Sequence, residues 1–199
     1  CIPFIVDEVQ SGLGRTGQWW AHQHFGIQPD LMSSAKALQV GATMGHKSWF
    51  PKEPGSLSTT WGGGHLIDLA MGMTIIKTIK KEKLLSNAKK QGNYLRKRLA
   101  ELSQQCSGIH NIRGLGLMNA FDVPKPEQRN NLVMELFKNG VLTLGCGSRG
   151  VRLIPPLIVD EPEIDTFMEI LDCAVKKCNK KFKHTGNICE FVGFAEHHG

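Results

Sequence analysis

No apolar run in this sequence is long enough to cross a membrane, because Asp68 interrupts the best candidate, Leu66 to Ile76. There is no CxxC pair and no internal repeat. Six cysteines spread over 199 residues are too few for a disulfide framework. Reduced thiols in an intracellular protein are therefore expected, cytoplasmic or, in a eukaryote, in the mitochondrial matrix. Aromatics are scarce at 7%, with a single tyrosine. The basic run Lys176, Lys177, Lys180, Lys181 and Lys183 has only Phe182 among it, so the stacking pattern of a nucleic-acid surface is missing. Solvated lysines at a helix C-terminus account for that run. Cys173, Cys178, His184, Cys189, His197 and His198 gather near the end, but their spacings fit no zinc finger and no metal is expected.

What remains is ordinary globular composition, 41% hydrophobic and 21% charged with a formal net charge of +6, which excludes disorder and collagen. The length suits one domain or two small ones with a proper core. The chain opens on Cys1 and passes directly into Ile2-Pro3-Phe4-Ile5-Val6, read as a buried parallel strand ending at Asp7-Glu8. A chain entering inside a strand is expected to be a fragment.

Residues 16–25 read as a short helix and Leu31 to Ala35 as a second strand. Residues 65–105 read as helical, with a break near Lys81 to Lys83, a weak spot at Gly92, and Leu84, Ala88, Leu95, Leu99 and Leu102 along one face. Leu115, Leu117, Phe121 and Val123 alternate as one strand. Pro126 to Asn139 forms a helix stopped by Gly140, and strands follow at Val141 to Leu144 and Val151 to Ile154. Asp160 and Glu163 resemble a capping box, opening a helix striped by Ile164, Phe167, Leu171 and Ala174. The order from 109 suits a small α/β sandwich, and residues 184–199 read as a flexible tail.

Ligands of a parallel α/β sheet sit at the carboxyl ends of its strands. Asp7 lies at one such end and Lys36 at the next, about one βαβ unit further on. Ser33-Ser34-Ala35 and Ala37, Val40, Gly41 and Ala42 surround Lys36 with small, mostly uncharged groups. Such surroundings would desolvate an ammonium, as a Schiff-base lysine requires. A solvent-facing lysine beside a loop-capping aspartate is the plainer reading. Between the two residues, Gly12-Leu13-Gly14-Arg15-Thr16-Gly17 spells G-x-G-x-x-G, with Asp30 further on, the fingerprint of a nicotinamide-dinucleotide fold. Five residues separate strand from glycine there, where the fingerprint wants an immediate turn.

Taken together, Asp7-Glu8-Val9-Gln10-Ser11-Gly12-Leu13-Gly14-Arg15-Thr16-Gly17, Pro29-Asp30 and Ser34-Ala35-Lys36-Ala37 resemble the signature of class III aminotransferases. Ser58-Thr59-Thr60-Trp61-Gly62-Gly63, Arg113-Gly114-Leu115-Gly116-Leu117-Met118 and Val151-Arg152-Leu153-Ile154-Pro155-Pro156-Leu157 follow in the family's order, so that the resemblance covers about residues 1–178. Within the family the likeness is to the 4-aminobutyrate and lysine 6-aminotransferases.

The resemblance implies pyridoxal 5'-phosphate as cofactor, with Asp7 on its ring nitrogen, Gln10 on its 3-oxygen and Lys36 as the catalytic Schiff-base residue. It also implies that Thr60 reaches the phosphate of the neighbouring subunit, giving a homodimer with shared active sites, and that Arg152 receives the substrate α-carboxylate. The signature usually has Thr where this chain has Ser11, and Gly64-His65 replaces an Asn found in many relatives. The family's phosphate turn and ring-stacking aromatic are expected upstream of Ile2.

The fold expected is α/β. Residues 1–82 are the second part of a large domain built on a mostly parallel sheet, 83–181 a small C-terminal α/β domain, and 182–199 a tail. The function implied is transfer of an amino group from an ω-amino acid, 4-aminobutyrate first, to 2-oxoglutarate, yielding a semialdehyde and glutamate. Lysine, ornithine or acetylornithine are alternative donors. A nicotinamide oxidoreductase and a non-catalytic fragment are the rival classes.

Overall fold

The computed structural model describes residues 2–53, 56 and 64–184, with side chains in the last helix as far as residue 178. Thr60 and its motif, Ser58 to Gly63, lie outside the described residues, as does the expected tail beyond 184.

Strand β1 (Ile5–Asp7) pairs in parallel with β2 (Leu31–Ser34), Asp7 opposite Ser33, and β3 (Ala42–Gly45) runs antiparallel along the far side of β2. The parallel pairing expected from the sequence is met at β1 and β2. The antiparallel β3 is hidden in the sequence because the alternation of Ala42, Thr43 and Met44 is too short to stand out as a strand. The helix expected over 16–25 shrinks to one 3-10 turn, Ala21–Phe25, which ends at Gly26 in left-handed backbone, φ 62°. Residues before it are taken up by turns.

Helices α1 (Leu66–Lys81) and α2 (Leu84–Gln105) break where the charged run suggests, with Lys83 in left-handed backbone at φ 54°. Beyond them come β4 (His110–Leu115), β5 (Met118–Asp122), α3 (Pro126–Lys138), β6 (Leu144–Cys146), β7 (Gly150–Leu153) and α4 (Glu161–His184). The four strands form an antiparallel sheet in the order β4-β5-β7-β6. The single strand read across Leu115 to Val123 is thus a hairpin. Apolar alternation continues through the tight turn at Gly116, φ 52°, and Leu117 in that turn is itself buried, so periodicity alone does not reveal the reversal.

The predicted helix stripes form the main core. Ala88, Leu95, Leu99 and Leu102 of α2 and Ile164, Leu171 and Ala174 of α4 bury against Leu117, Phe121, Leu136 and Val151, with Phe167 partly buried at the margin. A second, smaller cluster gathers Leu13, Ile79 and Leu84, with Trp19, Trp20 and Leu157 against it. The capping box forms as read: the Glu163 amide donates to Asp160 Oδ1 at 3.0 Å and the Asp160 amide to Glu163 Oε2 at 3.1 Å. Among the described residues no helix is long and apolar enough to cross a membrane.

Gly92 leaves α2 unbroken rather than weak. A Cβ there would lie 1.8 Å from the Gly116 carbonyl oxygen, and one on Gly116 would lie 2.4 Å from the Thr16 carbonyl carbon. Helix, hairpin turn and glycine-rich loop meet backbone to backbone. Replacing Gly92 by Ala in an open helix position gains about 1 kcal/mol. Here the same change is expected to destabilise by about 1–3 kcal/mol, the usual cost of overpacking, measured as a lowered urea midpoint of the full-length protein.

Candidate active site

Parallel pairing of β1 with β2 delivers Asp7 and Lys36 to one edge of the first sheet. Asp7 Oδ1 accepts from the Val9 amide at 2.9 Å and from the Ser33 hydroxyl at 3.0 Å. Those two hydrogen bonds, with a smaller contribution from the Lys36 ammonium, outweigh slight desolvation and hold the carboxyl below its ordinary value of 3.8. Asp7 is therefore an anion at neutral pH.

Lys36 opens the short 3-10 turn Lys36–Leu38 with φ 49°, in the left-handed region, and its carbonyl accepts from the Gln39 amide at 2.8 Å. A non-glycine residue held there costs roughly 1–3 kcal/mol, and such strain collects at functional positions. The side chain is exposed in this chain, where Ser33, Ala35 and Ala37 are too small to cover a four-carbon stem. Two residues earlier, Ser34 Oγ is buried without a hydrogen-bond partner among the described residues.

Glu8, which sequence reading passes over, is 1% exposed. Strand alternation turns it to the face opposite Asp7. Its Oε2 accepts from Ser11 Oγ at 2.5 Å, and its Oε1 from the His22 amide at 2.8 Å and His22 Nδ1 at 3.1 Å. Burial opposes ionisation of this carboxyl, but the hydrogen bonds from Ser11, the His22 and Ala21 amides and the His22 ring hold it below the ordinary glutamate value of 4.5. Only its two partners, Ser11 and His22, reveal it, and their spacing of eleven positions carries no sequence signal.

The glycine run is absorbed by the protein itself. A Cβ on Gly12 would meet the Trp20 ring at 2.7 Å, one on Gly14 would meet Leu85 at 2.9 Å and one on Gly17 would meet Lys89 at 3.2 Å. Its glycines serve close packing on α2 and Trp20, not the first turn of a dinucleotide cradle. The same loop reaches the second sheet: the Arg15 carbonyl accepts from the Leu117 amide at 2.9 Å and the Arg15 guanidinium donates to the Pro155 carbonyl. Burial lowers the pKa of that guanidinium.

Arg152, on β7, directs Nη1 at Gln10 Oε1 across 3.4 Å, the long end of hydrogen-bond range. It has no carboxylate partner among the described residues. Asp7 and Lys36 thus share one edge, while Gln10 and Arg152 touch across the joint. Among the described residues no group of three or more His, Cys, Asp or Glu is placed to hold a metal ion.

The family model for class III aminotransferases matches residues 2–175, and the chain belongs to that family. It is 39% identical over 176 residues to the L-lysine-epsilon aminotransferase of Amycolatopsis lactamdurans, covering 84% of this chain and 39% of the relative. Against the acetylornithine aminotransferase of Synechocystis the identity is 36%, covering 87% and 42%, and against the 4-aminobutyrate aminotransferase of Dictyostelium discoideum 34%, covering 90% and 37%. Lysine aminotransferase from M. tuberculosis in the internal aldimine form superposes with a TM-score of 0.84 at 35% identity, over 88% of this chain and 42% of that one. The chain spans about two-fifths of the length of these relatives.

The cofactor of the family is pyridoxal 5'-phosphate, and the donor set here fits it. An ionised carboxylate suits a protonated ring nitrogen, and a primary amine stands at the same edge.

Because the Glu8 carboxyl lies below its unfolded value, its stabilisation is complete above 4.5 and is lost as pH falls through the lower folded-state value. Glu8→Gln is expected to remove this contribution. Unfolding midpoints of parent and variant should differ most at neutral pH and converge below pH 4.5; a difference constant with pH would contradict it.

Proposed function

We propose that the full-length protein is a pyridoxal-phosphate-dependent ω-aminotransferase that moves an amino group from an ω-amino acid to 2-oxoglutarate, giving a semialdehyde and glutamate. The observation that carries this reading is the placement of Asp7 and Lys36 at the carboxyl ends of two parallel neighbours. When bound, the cofactor's ring draws electrons from the substrate carbon that gives up its proton. Asp7, an anion at neutral pH, keeps a proton on the ring nitrogen. Gln10 offers its amide to the ring's 3-oxygen. Lys36 would hold the cofactor through Nζ and, once freed by the substrate amine, that Nζ would take the proton from the substrate carbon and hand it to the cofactor carbon.

Arg152 receives a carboxylate of the substrate. Its planar fork suits a carboxylate, and it lacks an internal anion among the described residues, so it stands ready for an external one. Thr60 is assigned to the phosphate held by the partner subunit in a homodimer with shared sites. The division of labour falls at residues 82 and 83: 1–82 supply the lysine side as part of the large domain, and 83–181, as the small domain, supply the arginine. The donor is 4-aminobutyrate in the first reading. Lysine is the second, supported by the 39% identity to an L-lysine-epsilon aminotransferase, with ornithine or acetylornithine beside it.

In the full-length protein, Lys36→Ala should abolish both turnover and the visible absorbance of the bound cofactor, and survival of both would overturn the reading. Arg152→Lys keeps the charge but loses the fork, and should raise KM by roughly tenfold to a hundredfold, the worth of a charge-assisted bidentate contact. Initial rates with 4-aminobutyrate, lysine, ornithine and acetylornithine then rank the donors.

A further inference from the structure

The Asp7 and Gln10 side chains project from a stretch of chain whose fixed point lies between them. Glu8 is tied at every polar atom: its amide donates to the Ser33 carbonyl at 3.0 Å, its own carbonyl accepts from the Gly12 amide at 3.0 Å, and its two carboxylate oxygens collect Ser11 and His22. The backbone bonds set the chain's path out of β1. The side-chain bonds close the loop between residues 8 and 22, so that Gln10 and Ser11 are held over a buried anion instead of in open loop. Ser33 closes the arrangement from β2, with its carbonyl on the Glu8 amide and its hydroxyl on Asp7. Gly12 packs on Trp20, and neither can shift without opening the loop.

We infer that Glu8 is a positioning residue: its buried carboxylate, through Ser11 and His22, fixes the directions in which Asp7 and Gln10 meet the cofactor ring. The inference rests on the proposed function. The carboxylate matters through its charge: a carboxamide keeps one oxygen for His22 and its NH2 can donate to the Ser11 hydroxyl, but the charge-assisted bonds from Ser11 and His22, the stronger kind, are lost. The hydroxyl of Ser11 is the matching requirement. Thr, which the family signature usually carries there, meets it, and Ala does not. His22 adds a third attachment, its ring nitrogen donating to the ionised Glu8.

The test uses the full-length protein and its Glu8→Gln, Ser11→Ala and Ser11→Thr variants, with pyridoxal phosphate itself as probe. Titration of the cofactor-free protein, followed at the visible band, gives the cofactor Kd; steady-state rates give kcat and KM; thermal unfolding reports the fold. Glu8→Gln and Ser11→Ala should weaken cofactor binding about tenfold, as loss of an outer-shell support does, and lower kcat by a similar factor, while KM for the donor stays within about twofold. Ser11→Thr should restore parent behaviour.

If Glu8→Gln and Ser11→Ala lower only the unfolding midpoint and keep the parent Kd and kcat, Glu8 is structural and the inference fails. Failure of Ser11→Thr to rescue Ser11→Ala also overturns it. Should Glu8→Gln not fold, the Ser11 pair decides alone. A parent protein that forms no visible band with pyridoxal phosphate overturns the proposed function, and this inference with it, whereas a normal parent band with unchanged variants overturns this inference alone.

Discussion

A side chain at Gly92 would collide with the Gly116 carbonyl, and a side chain at Gly116 would collide with the backbone of Thr16. Three segments remote in sequence are therefore pressed together with nothing between their backbones. Arg96 and Asn119 complete the contact, both donating to the Gly116 carbonyl, at 3.1 and 2.9 Å, while Arg96 also binds Asn119 Oδ1 at 2.7 Å. The Leu117 amide on the Arg15 carbonyl adds a strand-like bond between loop and hairpin turn. Through this joint the loop that carries Gln10 is set against the sheet that carries Arg152. Neither sheet alone contains both halves of the candidate site, so the site's dimensions depend on backbone packing that tolerates no added methyl group.

Two adjacent carboxylates divide the local electrostatics. Asp7 faces solvent at the sheet edge and is kept ionised by a local amide and a hydroxyl; Glu8 faces inward and is kept ionised by four donors that repay its desolvation. The first is available to a ligand because its partners leave part of it free. The second is spent internally on the loop. The roles part where β1 ends at Asp7 and the chain turns into the loop that supplies Glu8's partners.

Helical features were legible because they extend over many residues. The stripe Leu84, Ala88, Leu95, Leu99 and Leu102, the break at Lys83 and the box at Asp160 and Glu163 all follow from local periodicity and capping. The hairpin at Gly116 was not, since its alternation survives the turn, and β3 was not, since the four residues Ala42 to Gly45 are too short a run to register as a strand. Of the site, the spacing of Asp7 and Lys36 foretold a shared edge. Gln10 and Arg152 entered as site residues on resemblance alone, which said nothing of their contact, and Glu8 escaped because its partners are defined by a loop's path.

The contacts that complete the site are among the longest in sequence: Arg15 meets Pro155, and Gln10 meets Arg152, each more than two-thirds of the chain apart. Closing loops of that size costs entropy that is recovered only once the second sheet exists to receive them. During synthesis, Asp7, Gln10 and Lys36 leave the ribosome long before β7 does. A nascent chain therefore carries the lysine without the surface that orients its neighbours, and the order of translation delays the assembled site until most of the polypeptide has been made.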